Sequence, residues 1–174
     1  MGYAGGSREN PSYRDLGDHS EAVQMDFDPS KVSFAELLGV FWDSHDPWRR
    51  PWSRQYMAAV FCHDEGQRRA AEETRDRLAR EGGRPVETPI LPYAGFYLAE
   101  DYHQKHALQR YPELMEELAA HYPDMRGITA STAAARINGF VAGYGGCERL
   151  GKEIRGFGLS DRGLRILAGI VCGA

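Results

Sequence analysis

Thiols are scarce in this chain: Cys62, Cys147 and Cys172 are the only cysteines among 174 residues. Three is too few, and an odd number, for the disulfide framework of a small secreted domain. Long apolar runs are scarce as well. The terminal stretch "LRILAGIVCGA" falls well short of the roughly 20 residues that a membrane-spanning helix needs. No basic region followed by an apolar one opens the chain, so no signal peptide is expected. Positive charge is not in excess either: 21 Lys and Arg face 25 Asp and Glu, a formal net charge of −4. That balance argues against nucleic acid as the main partner. Together these absences lead to an expectation of a cytoplasmic globular protein, long enough to bury a real core without staples.

The pattern of what is present reads as alternating strands and helices. "EAVQMDFDP" (21–29) alternates Val23, Met25 and Phe27 with Ala22, Gln24 and Asp26, which predicts a half-buried strand stopped by Asp28-Pro29. "SFAELLGVFWDSH" (33–45) predicts a helix, with Ser33 and Glu36 spaced as a capping box. Its Phe34, Leu37, Leu38, Phe41 and Trp42 fall on one buried stripe. "RQYMAAVFC" (54–62) predicts a second strand. A highly charged helix over 64–83 should end at Gly82-Gly83. "RPVETPILPY" (84–93) predicts an edge strand, because its prolines cannot donate to a ladder. Two helical stretches, 99–110 and 111–123, break at Tyr111-Pro112. From Met125 the signal fades into the Gly-rich "NGFVAGYGGCERLGKE", read as coil, with a last short helix near Ser160 to Leu167. The order predicts an α+β fold with a C-terminal coil and helix extension.

Chemistry-bearing residues are few. Glu21 opens a strand just after a polar loop that also carries Tyr13. A semi-buried carboxyl there suits proton donation near neutrality. A solvated strand-edge Glu is the commoner case. Tyr56, at the start of the next strand, could point its phenol into the same cleft. His103 and His106 sit three apart beside Asp101, but without a third ligand motif the spacing does not carry a metal site. "GYAGG" lacks both the dinucleotide fingerprint and the Walker Lys-Ser/Thr, so it is no phosphate cradle. Cys62 reads as a small buried hydrophobe. Cys147 stands among glycines, where a resolving thiol would have the freedom it needs.

"GYAGG", "NPSY", "HSEAV", "FDPSKVSFAELLGVFWDSHDP", "RQYMAAVF" and "FYLAEDYHQK", in that order over roughly residues 2 to 105, resemble the A-class peptide methionine sulfoxide reductases. The resemblance implies a two-layer α/β sandwich (a ferredoxin-like roll), with the reductase-like domain over 1–125 and an extension over 126–174. It implies thiol-dependent reduction of methionine S-sulfoxide, protein repair after oxidation, with thioredoxin as external reductant and no cofactor or metal. Oxidised methionine-containing proteins or peptides are the implied substrates. By motif, Glu21 matches the proton donor, and Tyr13 and Tyr56 match the two tyrosines that hold the oxygen. Cys147, or else Cys172, takes the place of a resolving cysteine.

Two departures from the family pattern stand out. Its Gly-Cys-Phe-Trp-Gly segment, which carries the nucleophilic cysteine, does not occur in these residues. "WRRPWSR" replaces the usual Gly/Asn/Asp/His-rich loop, so that Pro51 or a neighbour stands where a site aspartate is expected. The start of the chain reads as the family's second strand. The expectation is therefore an N-terminally shortened member whose activity is in doubt, through a wrong start, a selenocysteine codon or a true short form. The alternatives are a non-catalytic binder of oxidised peptides and a truncated fragment.

Overall fold

A computed structural model describes residues 1–173 and divides the chain into two compact units, Met1–Ala99 and Glu100–Ala174. The fold is α+β, with five short strands and seven α-helices among the described residues.

In the first unit, β1 (Gly2–Ala4) lies between β2 (Ser20–Ala22) and β5 (Phe96–Leu98), antiparallel to both. Tyr3 faces Glu21 on one side and Tyr97 on the other, and it is almost fully buried. A second, parallel pair joins β3 (Val60–Cys62) to β4 (Ile90–Pro92). The intervening α2 (Glu65–Gly82) is the crossover that a parallel pair requires. Both helices of this unit start and stop where their caps dictate. Ser33 and Glu36 complete the capping box of α1 (Phe34–Asp43). Asp64 caps α2, and Gly83 ends it in the left-handed region that a Cβ would disfavour. Leu38 and Trp42 of α1 pack with Val60, Cys62 and Ala71, and Trp42 donates its indole N–H to Thr74 of α2 at 3.0 Å.

The predicted strand over 21–29 is corrected to three residues, Ser20–Ala22. Val23 and Met25 are 70% and 61% exposed, so their alternation has no sheet partner to bury against. Likewise the strand expected from residue 54 begins only at Val60, because Ser53 to Tyr56 form a turn in which the Tyr56 N–H donates to Ser53 Oγ. The FYL stretch of β5 has no alternation to announce it, because its Phe96, Tyr97 and Leu98 are all large and apolar.

The second unit is helical. Short 3₁₀ turns at Asp101–His103 and Leu108–Arg110 replace the helix expected over 99–110. Then come α3 (Pro112–Ala119), α4 (Met125–Ala130), α5 (Thr132–Val141), α6 (Gly146–Glu153) and α7 (Asp161–Cys172). Leu108, Leu114, Leu118, Ile137, Leu150 and Leu167 form its fully buried centre. Burying each such side chain stabilises by about 1.5–3 kcal/mol before entropy is counted. The Gly-rich coil is thus corrected to two helices, parted where Gly145 takes φ +100°. The boundary expected at residue 125 marks where the secondary-structure signal fades, and the compact units divide at Ala99–Glu100.

No helix among the described residues is long and apolar enough to cross a membrane.

Candidate active site

The first unit brings Glu21, Tyr13 and Tyr56 together through a residue the sequence reading passed over, Gln55. The backbone N–H of Glu21 donates to the Gln55 carbonyl at 2.9 Å. The Gln55 amide nitrogen then donates to Glu21 Oε1 at 2.8 Å and to the Tyr56 hydroxyl at 3.0 Å. Tyr56 in turn shares a hydrogen bond with Tyr13. That bond, helped by desolvation and by the Tyr13 and Glu21 charges, raises the Tyr56 hydroxyl above the usual phenol range. Tyr13 and Tyr56 remain 40% and 46% exposed, so both hydroxyls can meet a ligand.

Local chemistry positions each member. Tyr13 sits at the tip of a tight turn closed by two hydrogen bonds between the backbones of Ser12 and Asp15. The loop leading to Glu21 is tied down twice. Asp18 accepts from Ser7 N–H at 2.8 Å and Arg8 N–H at 3.2 Å, chiefly for which its carboxyl falls to about 2. His19 is buried; its Nδ1 accepts from Gly6 N–H, so its Nε2 carries the proton donated to the Arg8 carbonyl. On the Tyr56 side, Arg54 donates to the carbonyls of Asp18 and Gly5, both at 2.6 Å, while its own carbonyl accepts from Ser20 Oγ at 2.7 Å. Arg54 thus fastens the turn carrying Gln55 and Tyr56 to the strands carrying Glu21.

A cavity of about 380 Å³ opens beside Glu21, with Leu37, Phe41, Met57, Phe61, Tyr93 and Phe96 among its walls. Glu21 lies in the wall of this apolar cleft, and the Gln55 amide ties it to the Tyr56 phenol outside that wall, an arrangement that suits a ligand with one apolar arm and one strongly accepting oxygen. The "WRRPWSR" loop lies beside Tyr56, away from that cavity. Trp52 tilts against the Tyr56 ring at 5.2 Å, and Arg49, Arg50 and Pro51 line a smaller cavity of about 210 Å³ with Tyr56.

The cysteines take other places. Cys62 is buried at the end of β3, and burial, followed by the Glu72 and Asp64 charges, pushes its thiol up. Cys147 is not in a mobile coil; it lies in the first turn of α6 and is disulfide-bonded to Cys172 at the end of α7, with Cα atoms 4.9 Å apart. Both belong to the second unit. Among the described residues no three His, Cys, Asp or Glu side chains gather to hold a metal ion.

A protein-family model described as peptide methionine sulfoxide reductase matches residues 1–132. A "Peptide methionine sulfoxide reductase" of Drosophila melanogaster is 38% identical over 162 residues, covering 92% of this chain and 65% of its own length. "Peptide methionine sulfoxide reductase A5" of Oryza sativa subsp. japonica is 38% identical over 149 residues, 82% of this chain and 58% of its own. "Peptide methionine sulfoxide reductase MsrA" of Azotobacter vinelandii is 41% identical over 119 residues, 61% of this chain and 55% of its own. The chain therefore spans between about half and two thirds of the length of these relatives.

Proposed function

Because the chain belongs to the peptide methionine sulfoxide reductase family, we propose that its Glu21 cluster activates the oxygen of a methionine S-sulfoxide for removal. In this reading Tyr13 and Tyr56 donate to the sulfoxide oxygen, and Glu21 gives it a proton as a thiolate adds to sulfur. The sulfur–oxygen bond breaks, the thioether is released, and the thiol carries the oxygen as a sulfenic acid. A second thiol condenses with it to a disulfide and water, and thioredoxin returns the electrons. In this scheme that second thiol is Cys147; Cys172 then attacks Cys147 and displaces the first sulfur as a thiolate, and the resulting Cys147–Cys172 disulfide is the species thioredoxin would reduce. The substrates are oxidised methionine-containing proteins or peptides, and no metal or organic cofactor takes part.

The observation that carries the reading is the Gln55 amide held between Glu21 Oε1 and the Tyr56 hydroxyl, which brings acid and phenol to one point. The attacking thiolate is the part this chain does not itself present. Its 174 residues contain no Gly-Cys-Phe-Trp-Gly, Cys62 is buried, and Cys147 is paired with Cys172. That same observation favours a second reading, a module that binds oxidised methionine without turning it over. NMR titration of the chain with N-acetyl-methionine S-sulfoxide and its R epimer tests both readings. Shifts at Glu21, Gln55 and Tyr56 specific to the S epimer are expected, and equal shifts from unoxidised N-acetyl-methionine would overturn them. A reductive assay then separates turnover from binding.

A further inference from the structure

Trp52 is 76% exposed, more than any other large apolar side chain among the described residues, and it leans on the ring of a site tyrosine. An indole left in water forgoes a large burial gain, which is the usual mark of a surface that meets a partner. Arginines outnumber carboxylates around it, with Arg49, Arg50 and Arg54 set against Asp46 and Glu87. Arg49 is exposed and forms no ion pair among the described residues. Arg50 has only a surface pair with Glu87, at 3.1 Å and with Arg50 86% exposed, so it is open to competition. Arg54 spends its side-chain hydrogen bonds on backbone carbonyls rather than on carboxylates. Asp46 and Glu87 offset this in part. Asp46 is occupied by the Trp48 N–H at 3.0 Å.

We propose that Trp52, Arg49 and Arg50 form a subsite for an acidic residue next to the oxidised methionine in a peptide, so that the preferred substrates are acidic segments. The proposal rests on the reading of Tyr56 as a contact of the sulfoxide oxygen. The small cavity of about 210 Å³ reaches from Tyr56 to Arg49 and Arg50, the span of one neighbouring side chain. Arginine forks match a carboxylate, and Trp and Arg are the side chains that most often anchor peptide interfaces.

The test is titration of the full chain, followed by the Trp52 indole N–H and the Tyr56 signals, with Asp-Met(O)-Asp, Lys-Met(O)-Lys and Asp-Met-Asp peptides. The acidic sulfoxide peptide should bind about three- to tenfold more tightly than the basic one, the scale of one or two exposed charge contacts. The preference should shrink on going from low to 0.5 M salt. It should also vanish in Arg49→Glu with Arg50→Gln, and overall affinity should fall in Trp52→Ala. Equal affinity for the two sulfoxide peptides overturns the subsite while leaving the Glu21 reading intact. Preference that survives the arginine changes overturns it as well. Asp-Met-Asp binding as well as its sulfoxide keeps the subsite and overturns the sulfoxide reading instead. An oligothymidine that displaces the acidic peptide at equal concentration would assign the patch to nucleic acid and sink the proposal.

Discussion

Glu21 and Gln55 meet twice, once through the Glu21 N–H and Gln55 carbonyl at 2.9 Å and once through their side chains at 2.8 Å. The backbone contact fixes where the two chains run, and the side-chain contact then fixes where the carboxylate points. Gln55→Leu should therefore free the Glu21 carboxylate and the Tyr56 hydroxyl together. Loss of one buried-edge hydrogen-bond pair costs about 1–2 kcal/mol. The expected readout is broadened Glu21 and Tyr56 NMR signals with α1 and α2 unchanged, and sharp, unmoved signals would argue that Gln55 is a bystander.

Tyr13 dominates the environment of the Tyr56 hydroxyl, and their hydrogen bond is the first cause of its raised ionisation. Tyr13→Phe should bring Tyr56 back toward the ordinary phenol range. An alkaline titration of the Tyr56 Cζ signal checks this. A midpoint unchanged in the variant would mean that desolvation, not Tyr13, sets it.

Cys62 is buried, and Cys147 and Cys172, even when reduced, belong to the second unit rather than to the unit that carries Glu21. The 174-residue chain should accordingly reduce methionine S-sulfoxide with dithiothreitol or thioredoxin no faster than a thiol-only blank. Alkylation should agree, with Cys62 slow in the native protein and fast in denaturant. Turnover well above the blank would point to one of these three as a nucleophile.

Because the two cysteines are joined to each other across 25 residues, Cys147→Ser and Cys172→Ser should behave alike. Each should lower the stability of the second unit by about 3 kcal/mol, on the loop-entropy account of a cross-link this long. Urea titration of each single variant and of the double variant reads this out. Two singles that differ by more than a third of that value would show one thiol acting alone.

Asp18, held at about 2 by the Ser7 and Arg8 amides, has its folded value below the ordinary 3.8. Its contribution is therefore present above 3.8 and lost as pH falls through about 2. The Ser7 and Arg8 amide shifts should hold from neutrality down to about pH 3 and move only below it. In Asp18→Asn that acid step should disappear.

How much of this was legible follows from where the signal lives. The ends of α1 and α2 could be read because Ser33, Glu36, Asp64 and Gly83 cap by local geometry alone. Glu21, Tyr13 and Tyr56 stood out as polar groups by a strand start and a loop, but only the family resemblance gave them roles; nothing in their spacing announces that a turn and a loop will bring them together. Gln55 carried no signal, since a glutamine beside a tyrosine is unremarkable until its two partners are known. Val23 and Met25 misled, because alternation marks a strand only if a neighbour pairs with it. The helices after Met125 were hidden by their glycines, whose weak propensity is overridden by Ile137, Phe140 and Leu150 packing into a shared core. The Cys147–Cys172 pairing depends on how α6 meets α7, which no local pattern encodes.

The register of β1 carries a consequence for how the chain emerges from the ribosome. Tyr3 pairs with Glu21 early in the chain but also with Tyr97, more than ninety positions later. A hairpin of β1 and β2 alone is two three-residue strands, too little to persist in water. Gln55 can reach Glu21 earlier, but the strand that carries Glu21 gains a three-stranded sheet only after residue 98 has left the exit tunnel and β5 has closed on β1. Until then Tyr3 and Leu16, buried in the finished unit, stay open to chaperones. Vectorial synthesis thus makes this cleft among the last parts of the first unit to mature, and a pause in translation before Phe96 would prolong its most sticky stage.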